Sequence, residues 1–577
     1  MWRGLGLAMA TVVAALGVAA AAHGHGPGHA GAFDAAGAPA LGATNGGTVF
    51  DRPLTAVAAG PAPVTTATIL SVSDFHGRLN PTTFRIDVEG QKFSGAAYLQ
   101  TYFKQRAALA PNPPFLVTQG DAVGATQPVS GLLGDRPTID VMNRMGFDAD
   151  TLGNHNFDDG VANMRDLARQ AAFPYLVTNL TNRGGQRLPW TKPWAIWPVG
   201  GTRIGVTGAI NEDAADLLKP GSLGELRVGK AADGINAAAR ELRARGVNTV
   251  VALAHVGALP TKAGPNGPTG PLIDLAKELR GVDVLLGDHT YWQVNQPIIG
   301  RDNQPVWVVQ SVPNGVTFSE VRLAINELDG EAVGVAVDQF PTTTNGITPD
   351  PEIAALVKSY NDRVEPITEQ VIGSSTEPIP SSGTATDETK QGNVVTDALR
   401  AATGTQLALY NTGGLRDALT RGDRDASGNY PIRRGDVLAM LPFNNQMTTL
   451  TLSGAELKAQ LENGIGEHPT PSAAFPQISG FSFKWNPTAQ PNGRVKSGKL
   501  ADGTPIDFSP ASRYTLVTND FVATGGDGYT DFSGRLTYQG DVEDAVIAYL
   551  QARPGFNPPG PPEDLEQRIE EEPSLAG

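Results

Sequence analysis

Four short apolar runs in this chain each stop at a histidine, an aspartate or both, and this recurrence restricts the fold more than any other feature. Ala67–Val72 ends in Ser73-Asp74-Phe75-His76-Gly77, and Phe115–Thr118 ends in Gln119-Gly120-Asp121. Asn248–Ala254 ends in His255, and Val282–Leu286 ends in Gly287-Asp288-His289. Helical periodicity lies between them, over Asp233–Arg245 and Leu272–Arg280. Apolar runs of this length alternating with helices predict buried strands of an α/β sheet. Ligands of such sheets bind beyond the carboxyl ends of the strands. Polar residues spread over more than 200 positions are therefore expected at one rim.

A further stretch, Gly153-Asn154-His155-Asn156-Phe157-Asp158, follows the short run Ala149–Leu152. It offers an amide, an adjacent imidazole and a carboxylate three residues on. Of eight histidines, His23, His25 and His29 lie in an Ala/Gly/Pro-rich segment and His468 lies in a Gly/Pro-rich loop. The other four, His76, His155, His255 and His289, all sit just after predicted strands. One such histidine reads best as a satisfied structural residue, but four at one rim with Asp74, Asp121 and Asn154 read as a metal centre. Imidazoles with carboxylates suit Zn, Mn or Fe, and a bridging carboxylate suits two ions. Two ions roughly 3.5–4 Å apart clamp the attacking and leaving oxygens of an in-line phosphoryl displacement and make hydroxide available near neutral pH.

Composition narrows the alternatives. There is no cysteine among 577 residues, which excludes disulfides, thiolate ligands and cysteine nucleophiles. A net charge of −15 argues against a broad basic surface for nucleic acid. It leaves room for a small anionic substrate, because bound metal dominates the local field. Residues 1–22 carry Arg3, an Ala/Gly-rich apolar run and small residues at the end; they read as an export signal rather than a membrane anchor. Residues 23–66 read as a disordered linker. No later segment is apolar and long enough to cross a bilayer, so a secreted chain is expected. Units are expected over 67–345 and 373–553, joined by an amphipathic helix within 346–372. Residues 554–577 read as a Pro-rich and acidic tail.

Taken together, Asp74-Phe75-His76, Gly120-Asp121, Gly153-Asn154-His155 with Asp158, His255 and Gly287-Asp288-His289 resemble the five blocks of the calcineurin-like metallophosphoesterases. Asn156-Phe157-Asp158-Asp159-Gly160 resembles the 5′-nucleotidase branch. The resemblance implies a four-layer α/β/β/α domain followed by a smaller α/β substrate-binding domain. It implies Asp74 and His76 on one divalent ion, Asp121 as the bridge, and Asn154, His255 and His289 on the second. It implies that His155 serves the leaving group and that Asp158 orients its imidazole, as suits general-acid work near neutral pH. One departure is Tyr291, where the family usually places His or Gln. This leaves a weaker first site, extra water, or another residue such as Gln293 as ways to complete it.

In the second unit, Asn411–Arg416, Leu441–Asn445 and Asn519–Tyr529 resemble the substrate-binding blocks of the 5′-nucleotidase C-terminal domain. The resemblance implies that Phe443 and Phe521 sandwich a nucleobase, with stacking of about 1–3 kcal/mol per base. It implies Asp527 on ribose hydroxyls, Asn411 and Asn445 on sugar or base, and Arg416 near phosphate. Arginines that family members often carry before Gly392 are absent here; Lys390 is the only basic residue from Ser381 to Lys390. The expected activity is hydrolysis of nucleoside 5′-monophosphates, with domain closure around the connecting helix. Alternatives are a nucleotide-sugar hydrolase, a 2′,3′-cyclic-nucleotide phosphodiesterase, an extracellular nuclease, or a non-catalytic nucleotide-binding protein. The expected partner is a small nucleotide or related phosphoester, with no stable nucleic-acid partner.

Overall fold

The structure is a computed structural model, and it describes residues 50–51, 63–83, 92–259, 268–290, 292–381, 386–420, 422, 424–470, 472–555 and 568–572. The export signal read over 1–22, most of the linker and Tyr291 lie outside the described residues.

Two sheets stack face to face in the first part of the chain. One runs in the order Phe50–Asp51, Ala332–Pro341, Thr317–Asn326, Val64–Val72, Phe115–Thr118. The other runs Val294–Ile299, Pro305–Gln310, Val284–Gly287, Thr249–Ala254, Thr202–Ala209, Trp194–Val199. Their facing side chains, Ile69, Val117, Val206, Val251, Leu286 and Leu323 among them, form one buried cluster. The outer face of the first sheet is covered by helices Ala96–Ala107 and Arg136–Met145. Helices Ala231–Ala244 and Pro271–Glu278 cover the second. This is the expected α/β/β/α layering.

Strands buried on both faces must be apolar throughout, which is why Thr249–Ala254 is buried at every position. Val64–Val72 pairs parallel with Phe115–Thr118, and Thr202–Ala209, Thr249–Ala254, Val284–Gly287 and Pro305–Gln310 pair parallel in succession. Their carboxyl ends consequently share one rim.

The connecting helix spans Pro351–Thr368 and starts under a cap from Asp350, whose carboxylate accepts from the Ile353 amide at 3.1 Å. Its Ile353, Val357 and Val364 join the core beneath the first sheet, so it is anchored on that side.

The rest of the chain forms a sheet in the order Pro476–Ser479, Leu407–Asn411, Tyr514–Asn519, Gln446–Leu452, Thr537–Asp541. Helices Lys390–Thr403 and Val542–Gln551 pack on one face, and Gly454–Gly464 with strand Phe481–Trp485 on the other. Within the stretch read as a tail, Ile569–Glu571 pairs parallel with Phe481–Trp485. Arg568 there grips Asp397 through two guanidinium bonds of 2.9 and 3.0 Å. His468 packs edge-on against Trp485, a structural role in a loop.

Candidate active site

The rim gathers Asp74, His76, Asp121, Asn154, His255 and His289. Asp74, His76 and Asp121 place one ligand atom each within 4.8 Å of one another, and so do Asp121, His255 and His289. Asp121 belongs to both groups, as a bridge requires.

Local backbone geometry is unusual at these positions. Asp74, His76, Asp121 and His289 all adopt left-handed φ, at 41°, 44°, 46° and 78°. Side-chain-bearing residues avoid that region unless the surroundings hold them there, and such strain concentrates at functional sites. Close packing imposes two glycines. A Cβ at Gly120 would stand 2.7 Å from the Gly153 amide nitrogen, and one at Gly153 would stand 2.3 Å from Asp121 Oδ1.

Hydrogen bonds set which imidazole atoms are available. His76 Nδ1 donates to the Gly124 carbonyl at 2.8 Å, and His255 Nδ1 donates to the Gln119 carbonyl at 3.1 Å. With Nδ1 committed to a carbonyl, each ring presents its Nε2 to the centre. His255 Nε2 then lies 2.9 Å from Asp121 Oδ2 and 3.1 Å from His289 Nδ1. Both carboxylate oxygens of Asp121, and Asn154 Oδ1, are buried without a hydrogen-bond donor. Converging lone pairs with no donor between them are unfavourable unless a cation sits there. The donor set of imidazole, carboxylate and amide oxygen fits divalent zinc or manganese.

Electrostatics separate the imidazoles: burial works against the charged form of His255, but Asp121, Asp288 and Asp74 around it outweigh that and hold its imidazole well above the ordinary value. Burial, with Asp288 and Asp121 nearby, pushes the Asp74 carboxyl well up. Burial pushes the His289 imidazole down to about 4, and pushes His76 down as well. Both rings are thereby kept neutral and able to coordinate.

His155 lies beside this centre, 5.3 Å from His76 between ring centroids. Its Nδ1 meets both oxygens of Asp158 at 3.1 Å. Its Nε2 accepts from Arg416 Nη2 at 2.8 Å, and its ring stacks on Phe443 at 5.4 Å and 25°. The Arg416 guanidinium also lies over the Phe443 ring, 5.1 Å from its centroid. Two residues of the second unit thus meet His155 directly.

Behind them, Asn411 Nδ2 donates to Asp527 at 2.7 Å, and Asn519 Nδ2 donates to Asn411 at 3.0 Å. Asp527 holds a left-handed φ of 54°, and Asn463 donates to its carbonyl. Phe521 packs under Gly526, where a Cβ would come within 2.4 Å of the ring. Asn445 is buried and bonds the Tyr410 hydroxyl. No ring contact joins Phe443 to Phe521 among the described residues. Lys390 is committed to an ion pair with Glu377, and Gln293 donates its amide to Gln339 at 2.7 Å.

Several residues that sequence reasoning left without a role hold this geometry. Asn156 Oδ1 accepts from the amides of Asp121 at 3.0 Å and Gly153 at 2.7 Å, tying two ligand-bearing turns together. Arg78 pairs with Asp417 at 3.1 Å, joining the turn after His76 to the neighbour of Arg416. Lys219 pairs with the buried Asp520 across the same junction. The only sequence signal was the position of Asn156 and Arg78 beside blocks already singled out.

Known proteins resemble the chain in the same regions. A family profile described as 5′-nucleotidase, C-terminal domain, matches residues 371–534. Endonuclease YhcR of Bacillus subtilis is 29% identical across 87% of this chain, which spans 39% of that relative's length. Cell wall protein Lmo0130 of Listeria monocytogenes is 30% identical across 80% of this chain, which spans 64% of that relative's length. The solved 5′-nucleotidase precursor of Thermus thermophilus superposes with a TM-score of 0.75 at 25% identity, over 88% of this chain and 99% of its own. With the five metal-site blocks at one rim and a matching second unit, the chain has the two-domain 5′-nucleotidase fold and carries a 5′-nucleotidase C-terminal domain over residues 371–534.

Proposed function

We propose that this protein is an exported two-metal phosphoesterase that hydrolyses nucleotides, with nucleoside 5′-monophosphates as the preferred class. One observation supports this reading above the others. His155 has Asp158 on one nitrogen and turns the other to a space bordered by the metal-ligand cluster, Arg416 and Phe443. A binding protein has no use for an imidazole oriented in that way.

Asp74, His76 and Asp121 hold one divalent ion, and Asp121, Asn154, His255 and His289 hold the other. When bound, the two ions supply Lewis-acid polarisation of the phosphoryl oxygens and a nucleophilic water. The residues of the chain do the rest. Asp158 accepts the Nδ1 proton of His155 and fixes the tautomer, so that Nε2 faces the leaving oxygen. The phosphate takes the place beside Nε2 that Arg416 fills, and the guanidinium follows it as counter-charge. His155, carrying a proton at Nε2, transfers it to the departing ribose oxygen as the phosphorus–oxygen bond breaks. Phe443 and Phe521 stack the base, and Asp527, Asn411 and Asn445 hold the sugar and base edges.

Since Arg416 and Phe443 come from the second unit and touch His155, this is the closed arrangement, and turnover requires opening and closing about the 351–368 helix. The test is phosphate release from AMP, UDP-glucose, 2′,3′-cyclic AMP and DNA under one Mn²⁺ or Zn²⁺ condition. AMP should be cleaved fastest. Faster cleavage of DNA would instead favour a nuclease, the activity named for the relative YhcR. The absence of metal-dependent release from all four would end the enzyme reading.

A further inference from the structure

Asp288 sits at the centre of the ligand cluster without an assigned role. Its side chain has no exposure to solvent. No lysine or arginine pairs with it among the described residues; its titratable neighbours are His255, with Nδ1 at 3.8 Å, and Asp74. A buried carboxylate without a basic partner is costly unless another cation balances it.

Each of its oxygens is also engaged. Oδ2 accepts from the backbone amide of Asp74 at 3.0 Å, and Oδ1 accepts from that of His289 at 2.9 Å. Those are two of the residues held in left-handed backbone geometry. The His289 amide is shared with Asp74 Oδ2, also at 3.0 Å. One carboxylate therefore braces two turns that are 215 residues apart in sequence and deliver ligands to different ions. His255 Nδ1 donates to the Gln119 carbonyl at 3.1 Å and stands farther from Asp288, 3.8 Å from its Oδ2.

We propose that Asp288 is a positioning residue of the two-metal centre: it clamps the turns carrying Asp74 and His289 and adds a third negative charge opposite the two divalent ions. This rests on the two-metal reading given above. With neutral imidazoles, Asp74 and Asp121 offset two of the four positive charges of such a pair, and Asp288 offsets a third. It touches residues assigned to both ions, Asp74 of the first site and His289 and His255 of the second.

The test uses the full chain, stripped of metal with a chelator and titrated calorimetrically with MnCl₂. Asp288→Asn keeps the size and one acceptor but removes the charge. It should weaken binding at one or both sites by about 10- to 100-fold, the usual cost of losing a carboxylate behind the ligands. Asp288→Glu, which keeps the charge, should recover part of that loss. If the Asn variant does not stay folded without metal, the metal-loaded protein is titrated with chelator instead, and stripping should need about tenfold less. Wild-type binding of two ions matched within about threefold by Asp288→Asn overturns this inference alone. A wild-type protein that binds no pair of divalent ions overturns the two-metal reading and this inference with it.

Discussion

Asp417→Asn is expected to cripple turnover while leaving metal binding intact. Arg78 and Asp417 form an ion pair at 3.1 Å whose side chains are 7% and 8% exposed. Arg78 is also held by Asn314, whose amide in turn donates to the Asp74 carbonyl. Removing the carboxylate leaves a guanidinium buried without its counter-charge, a change that costs about 3–5 kcal/mol. When the two units separate, water reaches the guanidinium, so the cost falls on the closed arrangement alone. At about 1.4 kcal/mol per decade, the closed population and kcat/KM should drop by roughly two to three and a half orders of magnitude. Phosphate release at saturating Mn²⁺ measures this, with calorimetric Mn²⁺ titration alongside. Replacing both partners, Arg78→Met with Asp417→Leu, should restore much of the loss, because an apolar pair leaves no uncompensated charge. Turnover within about threefold of wild type for Asp417→Asn would refute the reasoning, as would a parallel loss of metal affinity.

Three further outcomes follow from the same geometry. Gly153→Ala pushes a methyl group to 2.3 Å from Asp121 Oδ1 and 2.6 Å from His255 Cδ2, so Mn²⁺ stoichiometry by elemental analysis should fall below two per chain; full occupancy would contradict the packing argument. Asn156→Ala strips the acceptor from two buried amides, at about 1–3 kcal/mol each, and denaturant unfolding should show a loss of that order per bond. Burial holds the Glu543 carboxyl up at about 7 against 4.5 for the free side chain. Below pH 4.5 both states carry the proton; as pH rises toward 7 the unfolded chain releases it first, so the folded state loses stability across that window and levels off above it. Glu543→Gln should therefore match wild type near pH 4.5 and exceed it by up to about 3 kcal/mol above pH 7, read as a growing gap in Tm; a gap that is the same at both ends would contradict it.

The parts of the fold legible in the sequence are those in which local pattern and tertiary environment agree. Phe115–Thr118 and Thr249–Ala254 are apolar at nearly every position because both faces are covered, and their polar successors mark the rim directly. Thr317–Asn326 and Ala332–Pro341 were harder to read. They pair with each other, but their outer neighbours, Val64–Val72 beside the first and Phe50–Asp51 beside the second, lie about 250 or more residues earlier, so nothing nearby in sequence signals those partners. Their outward-facing Glu320, Arg322 and Asp338 are polar because they satisfy one another and Arg106.

The site divides in the same way. Residue types that carry chemistry, such as His76, His155 and His289, stand out by identity. Residues that work through backbone amides or distant partners do not. Asn156, Asp288 and Arg78 are ordinary in sequence and acquire roles only when turns 35, 215 and 339 residues apart meet. The connecting helix was visible from its apolar stripe, but its docking against the first sheet's core was not.

The central claim is that His155, set by Asp158 and facing the metal cluster, completes a phosphoester-cleaving site. Its most direct test is phosphate release from AMP by the purified wild-type chain and by His155→Ala, both with saturating Mn²⁺ and both shown calorimetrically to bind two ions. Release by the wild type that falls by about 10²-fold or more in the variant, with the ions retained, is the predicted result. Equal release by both proteins, or none by the wild type with two ions bound, would contradict the account.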